Sequence, residues 1–446
     1  MAASLMEAVA ALDSSTLILL TVTLLAFFIP VFVIFPPLPV EHRDALSQTH
    51  YKLGLPQEKS NLAEQRSDAL RQPHQGQAPR IQSLHIYPIK SCKGVELTEV
   101  KVLPKGFELD RLYSFTQLRE MRVPIPDSDQ FKTVQGWEIL TLRQLGYLAN
   151  VVVDVWLPDP NKASRLLGPI DGGFLLIRFP WKDGGIRGLI QTIAAKLSRG
   201  FSAVSEKEFM LPLEFPSIAD IKERGFTYDD VKIFKNTANA LNMSAELPPE
   251  LSKYLGATNP VGLFRMDPSN RRKVFRCAPK SDDVGYQPVV DFQDGYPLHM
   301  LSLASVCALE SNINKDDAIT HLDARRFRPN IILSGLPAYD EDDWKGVAFR
   351  SSEGGKTDEA KFAVSCRTVR CKLPNVDPAT GLRHKVEPDH SLRKYREIDA
   401  GAAKKGCLGM QLCPLFPDPS REDALKLHLR VGMEVDILSR GSHMYL

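Results

Sequence analysis

The chain has 446 residues, with 56 basic and 54 acidic side chains, 43% hydrophobic and 25% charged content. These proportions exclude a wholly disordered or collagen-like chain. A net charge of +2 with no dominant basic block gives no argument for nucleic-acid binding. Seven cysteines, an odd number, are too few to staple a chain of this size, so a reducing compartment is expected.

Ser14 to Val40 carries no charged side chain, and its centre, Leu17 to Phe35, is 19 residues long. At about 1.5 Å per residue that centre rises roughly 28 Å, close to a bilayer core. Only Glu7 and Asp13 precede it as charges, and Pro36-Pro37 follows, so the pattern of a cleaved secretory signal is missing. Residues 1–40 are therefore expected to form one retained transmembrane helix. Arg43, Lys52 and Lys59 lie beyond the span and no Lys or Arg lies before it. That asymmetry places the large C-terminal part in the cytosol. Residues 41–80 are polar, with scattered Pro, and read as a tether.

From Ile81 short apolar runs alternate with Gly and Pro: 81–89, 112–115, 147–156 and 173–179. They predict the strands of a β-rich domain over 81–216. Ile186, Ile190, Ile193 and Leu197 stand at helical spacing and predict an amphipathic helix over 186–198. Residues 217–256 mix helical signals with polar loops, and a second domain is placed over 217–440. In it, 300–310 reads as a helix, and 327–333, 346–350, 361–366 and 433–438 read as strands. The fold class is α+β, with barrel-like β domains.

Several motifs fail. No GxGxxG follows a strand. Gly355-Lys356-Thr357 ends like a phosphate-binding loop, but Arg350 stands where its first glycine is needed. Cys366, Cys371, Cys407 and Cys413 miss the spacing of a zinc site, and residues five apart on one strand face opposite sides. Three segments remain. YPIKSCKG (87–94) is a strand end that turns and exposes Lys90 and Ser91. RFRPNIILSG (326–335) sets Arg328 before Pro329, which predicts an extended Arg328, with the Asn330 amide beside it. CRTVRCKLPNVDPATG (366–381) holds two cysteines, Arg370 and a turn at Asp377–Gly381. Each taken alone reads as a solvated loop, a surface charge cluster or ordinary buried thiols.

Together these segments resemble the MOSC family, in particular the mitochondrial amidoxime reducing components and their fungal relatives. Residues 81–438 carry the likeness, with LDRLYSF (109–115), LTLRQ (140–144), PLHMLSLASV (297–306), AYDEDDW (338–344) and VGMEVDIL (431–438) in support. The resemblance implies a β-barrel-like MOSC N-terminal domain followed by a MOSC domain. It implies the molybdenum cofactor (Mo-molybdopterin), with Cys371 as catalytic residue and thiolate ligand of the metal. Lys90, Ser91, Arg111, Arg328, Asn330 and Arg370 fall on the family's cofactor-contact positions. A soft thiolate suits such a metal, and fixed cations suit an anionic pterin phosphate.

The implied activity is reduction of N-hydroxylated compounds: amidoximes, N-hydroxyamines and nitrite. The implied electron donors are cytochrome b5 and NADH-cytochrome b5 reductase, because no flavin, haem or nicotinamide motif stands in this chain. The implied location is the mitochondrial outer membrane, with the endoplasmic reticulum as alternative. Pyridoxal phosphate binding is a further family attribute, with no residue assigned to it here. The rivals are a cofactor or sulfur carrier without turnover and a metal-free interaction module. The chain departs from the animal pattern at Pro374-Asn375 and Tyr296, and its second cysteine stands five residues before Cys371 instead of three. The stretch 200–256 is an insertion that the resemblance does not explain. Asp377 is expected to serve as a structural turn carboxylate.

Overall fold

The structure is a computed structural model. It describes residues 13–34, 42–71, 78–124, 131–162, 172–234, 236–351, 358–418 and 425–445. The Gly355-Lys356-Thr357 stretch and residues 1–12 and 35–40 of the expected anchor lie outside them.

Three sheets position the candidate site. The largest has eight strands in the order Ile331–Ser334, Leu298–Ser302, Cys407–Leu415, Asp358–Val369, Trp344–Ser351, Glu434–Arg440, Arg80–Ile86 and Val95–Leu97. Ile331–Ser334 also pairs with Arg80–Ile86, so the first seven strands close on themselves. From Ser83 to Ile86 every residue is buried, as expected for a strand covered on both faces. The second sheet is a closed five-stranded barrel of Thr227–Ile233, Asn236–Asn242, Val261–Arg265, Tyr113–Pro124 and Phe131–Ile139. The insertion thus supplies two barrel strands. The third runs His50–Leu53, Val152–Pro158, Phe174–Pro180 and Glu206–Pro212. One apolar cluster reaches from Ile81 to Val435 and includes Phe115, Trp344, Phe349 and Phe362.

The β-barrels fit the expected class, but the N-terminal anchor does not. A helix forms over Ser14–Ile34. Among the described residues, however, no helix is long and apolar enough to cross a membrane, which overturns the expected transmembrane helix. Polar Ser14, Ser15 and Thr16 take up its first turn, and Pro30 lies inside it. Thr21 and Thr23 further dilute its apolar surface, each donating its hydroxyl to the carbonyl four residues before, Leu17 and Leu19.

Residues 42–71 are also more than a tether. His50 to Leu53 pairs antiparallel with Pro158 to Val155, and Leu46 and Leu62 are buried. The Glu96 carboxylate accepts from Ser60 Oγ at 2.6 Å and from the Asn61 amide at 2.9 Å. A polar composition conceals this docking because main-chain pairing needs no apolar residue.

Smaller shifts have local causes. Gly146–Asn150 is a 3-10 turn, and the strand expected from 147 begins at Val152. Ala324–Phe327 is likewise a 3-10 turn, and that strand begins at Ile331. The helix expected over 300–310 is Leu303–Glu310, with Met300 to Ser302 given to the closed sheet.

Candidate functional site

The site forms where the three segments converge. Tyr87, at the end of its strand, donates its hydroxyl to the Pro329 carbonyl at 3.2 Å. Its amide is held by Asp110 Oδ1 at 2.8 Å, and the Arg111 amide donates to the Tyr87 carbonyl at 2.8 Å. Arg111 Nη1 reaches Asn330 Oδ1 at 3.1 Å and also pairs with Asp110 Oδ2 at 2.5 Å. Arg370 Nη2 donates to the Phe327 carbonyl at 2.8 Å, which brings the third segment to the second.

Three of the sequence-predicted residues adopt left-handed backbone: Ser91 (φ 70°), Arg111 (φ 50°) and Arg328 (φ 52°). Non-glycine residues rarely take this region, and such strain concentrates at functional sites. Arg328 was expected to be extended before Pro329. Instead it ends the 3-10 turn, its amide donating to the Arg325 carbonyl at 3.1 Å. The left-handed turn carries its guanidinium over the Tyr87 ring at 4.1 Å, while Arg111 lies over the same ring at 4.4 Å. One aromatic ring thus holds two cations together.

Asn330 is the keystone of this arrangement. It is 1% exposed; its Oδ1 accepts from Arg111 and from the His299 amide at 3.2 Å, and its Nδ2 donates to the His85 carbonyl at 3.1 Å. Asn330→Leu leaves those buried groups unpaired, so we expect a loss of roughly 2–4 kcal/mol. Urea unfolding measures it, and an unchanged midpoint refutes the role.

His85 beside it carries a pH signature. Burial holds its imidazole down to about 4. As pH falls, the unfolded chain therefore takes up the proton first. The contribution is whole above about pH 6.5 and is lost on acidification towards 4, at most about 3 kcal/mol. His85→Gln should lose less stability than the parent protein between pH 6.5 and 4 in urea titrations; equal losses rule this out.

Lys90 is buried, and its Nζ donates to the Phe292 carbonyl at 2.7 Å and pairs with Asp294. Asp294 is 67% exposed, at the mouth of the site. Crowding by protein opposes its charge, but Lys90, Arg111 and Arg143 outweigh that and hold its carboxyl below the usual range. The loop bearing Asp294 is fixed from below: Asp291 accepts from Lys105 Nζ at 2.6 Å and from Arg271 Nε at 2.8 Å. Burial pushes the guanidinium of Arg328 down to about 10 and that of Arg370 also to about 10. Both stay protonated at neutral pH.

Arg328 Nη2 and Arg370 Nε are buried and have no hydrogen-bond partner among the described residues. A buried, unpaired cation donor is costly, and a charge-bearing acceptor satisfies it. This donor set fits an anionic group such as a pterin phosphate.

Cys371 lies just beyond the strand Asp358–Val369 and is half-buried. Cys366 is completely buried with Val274, Val290, Tyr296 and Cys413. Burial pushes the thiols of Cys366 and Cys413 up to about 12 and that of Cys407 up to about 11, and raises Cys92 as well. These four are poor ligands. The difference between Cys366 and Cys371 comes from burial, the strand's end at Val369 and its register shifts near Val364/Cys366 and Arg367/Val369, rather than from simple alternation. Asp377 closes its own turn, accepting from the amides of Ala379 and Thr380 at 2.9 Å, and pairs with Arg326 Nη2 at 2.5 Å. It clasps the second segment to the third. Gly409 is required locally: an added Cβ would stand 2.5 Å from the Met300 carbonyl oxygen. Among the described residues no group of three or more His, Cys, Asp or Glu stands together as a metal cage.

The sequence reading missed Tyr87, Arg143, Asp294 and Phe234. Tyr87 and Arg143 lay inside quoted motifs, YPIKSCKG and LTLRQ. Phe234 comes from the insertion, with Arg143 over its ring at 4.9 Å and Lys90 Nζ at 5.7 Å. No local signal marks it, since only barrel closure brings it there.

Residues 78–122 match the MOSC N-terminal beta barrel domain, and residues 287–436 match the MOSC domain. A bovine (Bos taurus) protein named mitochondrial amidoxime reducing component 2 is 33% identical over 325 residues, covering 72% of this chain and 74% of that protein. The chain belongs to the amidoxime reducing component family of MOSC proteins. Human (Homo sapiens) mitochondrial amidoxime-reducing component 1 is 24% identical over 333 residues, 74% of this chain and 75% of its own length. Rat (Rattus norvegicus) mitochondrial amidoxime reducing component 2 is 23% identical over 325 residues, 72% of this chain and 74% of its own. Both MOSC matches fall on the site: Lys90, Ser91 and Arg111 lie in the first, and Arg328, Asn330, Arg370 and Cys371 in the second.

Proposed function

We propose that this chain is a molybdenum-cofactor-dependent reductase of N-hydroxylated compounds such as amidoximes. Family membership supports the coarser statement, a MOSC reductase associated with the molybdenum cofactor. The single observation that carries the reading is the pair of buried donors without a partner among the described residues, Arg328 Nη2 and Arg370 Nε, brought together where Arg370 bonds the Phe327 carbonyl, with Arg370 next in the chain to the half-buried thiol of Cys371.

The bound cofactor supplies two-electron chemistry at an N–O bond. Overall, two electrons and two protons enter, the N–O bond breaks, and its oxygen leaves as water. The chain's own residues do the rest. Cys371 provides one thiolate to the metal, a soft ligand for a soft site. Arg328, Arg370 and Arg111 bind the anionic portion, with Lys90 and Ser91 at its edge, and Asn330 orients Arg111. Tyr87 keeps two like charges at one ring, so the cradle is preorganised. Phe234 forms an apolar rim at the mouth.

Electrons are supplied from outside, by cytochrome b5 and its NADH-dependent reductase. The relatives' names place them in mitochondria, and we extend that location to this chain. The test is benzamidoxime reduction by the purified chain with NADH, cytochrome b5 and its reductase. NADH-dependent benzamidine formation supports the reading. A molybdenum-loaded protein that gives no turnover with any of these components refutes it in favour of a carrier.

A further inference from the structure

We propose that the helix Gly185–Arg199 lies flat on an anionic lipid surface, through a stripe of aliphatic side chains flanked by cations. Its apolar face points away from the protein. Ile186 (77%), Leu189 (57%), Ile190 (52%), Ile193 (50%) and Leu197 (78%) are all exposed. The residues it buries are the small Gly188 and Ala195. At about 100° per residue the five aliphatic side chains share one sector, and Gly188 and Ala195 share the opposite one. A helix packed for a domain core has the reverse arrangement. The stripe runs on past the helix end through Phe201 (92%) and Val204 (62%).

Charge selects the occupant. Arg187 and Lys196 fall on either side of the stripe, Lys182 precedes it, and all three are exposed. No carboxylate lies between residues 185 and 199. The neighbouring Asp183 is engaged inward, accepting from Trp181 Nε1 at 2.9 Å and Gln191 Nε2 at 2.8 Å. A flat apolar stripe bordered by cations matches hydrocarbon bordered by negative headgroups. Long basic side chains lay their stems along the stripe and keep their charges at headgroup level. A second copy fits poorly, because a two-fold pairing of such helices sets cation against cation. The helix rests in the interface plane and does not cross it, so the contact is independent of the segment Ser14–Ile34 and of the proposed chemistry.

The test is hydrogen–deuterium exchange on the full chain, with vesicles of phosphatidylcholine alone and vesicles containing phosphatidylserine. We expect amides of residues 185–204 to slow with phosphatidylserine vesicles only. Ile193→Gln with Leu197→Gln should abolish the slowing. Arg187→Gln with Lys196→Gln should raise the lipid needed by roughly 30-fold, about fivefold per cation. These side chains are exposed, and unchanged exchange elsewhere verifies the fold; the two vesicle compositions on the parent protein decide the matter in any case. No slowing with either vesicle overturns the proposal, as does equal slowing with both. Loss of both cations without a change in the lipid needed, or slowing that appears without lipid as protein concentration rises, overturns it as well; the last outcome identifies a second copy as the occupant.

Discussion

Cys371→Ser yields folded protein without molybdenum and at least about 100-fold less active, whereas Cys366→Ser retains both metal and activity. The contrast follows from where the two thiols stand. Cys366 is sealed among Tyr296, Cys413 and two valines, and burial pushes it up to about 12, so it stays a neutral thiol. Cys371 follows Arg370 at a strand end, is half-buried, and is next in the chain to a guanidinium with an unpartnered nitrogen. A metal retains a thiolate only where the sulfur can lose its proton and be reached. Elemental analysis with amidoxime turnover on both variants decides this. Equal metal loss in the two removes the basis for choosing Cys371.

Arg328→Ala is expected to lower cofactor retention by roughly 30-fold or more, while leaving Cys371 in place. The side chain sits over Tyr87 with Nη2 buried and unpaired, and its backbone occupies a region that costs about 1–3 kcal/mol for a non-glycine residue. The turn Ala324–Phe327 and the Tyr87 ring hold the guanidinium in this position, where an anionic group can meet it. Removing one partner of a buried charge pair typically costs about 2–5 kcal/mol in affinity. Arg328→Lys restores charge but not the two-point fork, so it should recover part of the retention and not all of it. Molybdenum and pterin content after dialysis provide the measurement. Full retention in Arg328→Ala means the anion cradle lies elsewhere.

Both expectations began in short stretches of sequence, and the fold shows why those stretches were readable. Lys90, Arg111, Arg328, Asn330 and Arg370 lie at strand ends and turns, where a charged or amide residue stands out from an apolar run, and Arg328 and Asn330 flank Pro329. Their convergence was not readable. It depends on Ile331–Ser334 pairing with Arg80–Ile86, a contact between residues about 250 positions apart that no local pattern encodes. Arg328 shows the limit of a local rule: a following proline favours extended backbone, but the turn Ala324–Phe327 and the Tyr87 ring together favour the left-handed form. Asp294 went unnoticed because a single acidic residue in a loop carries no pattern until Lys90 and four arginines, Arg111, Arg143, Arg272 and Arg370, surround it.

The ends of the chain teach a second lesson. Hydropathy alone suggested a spanning helix over residues 1–40, yet the helix that forms has a polar first turn with Thr21 and Thr23 inside it, and no helix among the described residues is long and apolar enough to cross a membrane. Hydropathy periodicity also predicted the amphipathic helix near 186–198, which forms as Gly185–Arg199. Periodicity does not say which face is covered. Here the protein covers Gly188 and Ala195, and the aliphatic side remains open.

The most direct measurement is molybdenum and pterin quantification on the full chain, purified from cells that make the cofactor. The account predicts near-stoichiometric metal with its pterin, released together on denaturation. Metal-free protein from such cells, folded and with Cys371 reactive towards thiol reagents, contradicts it.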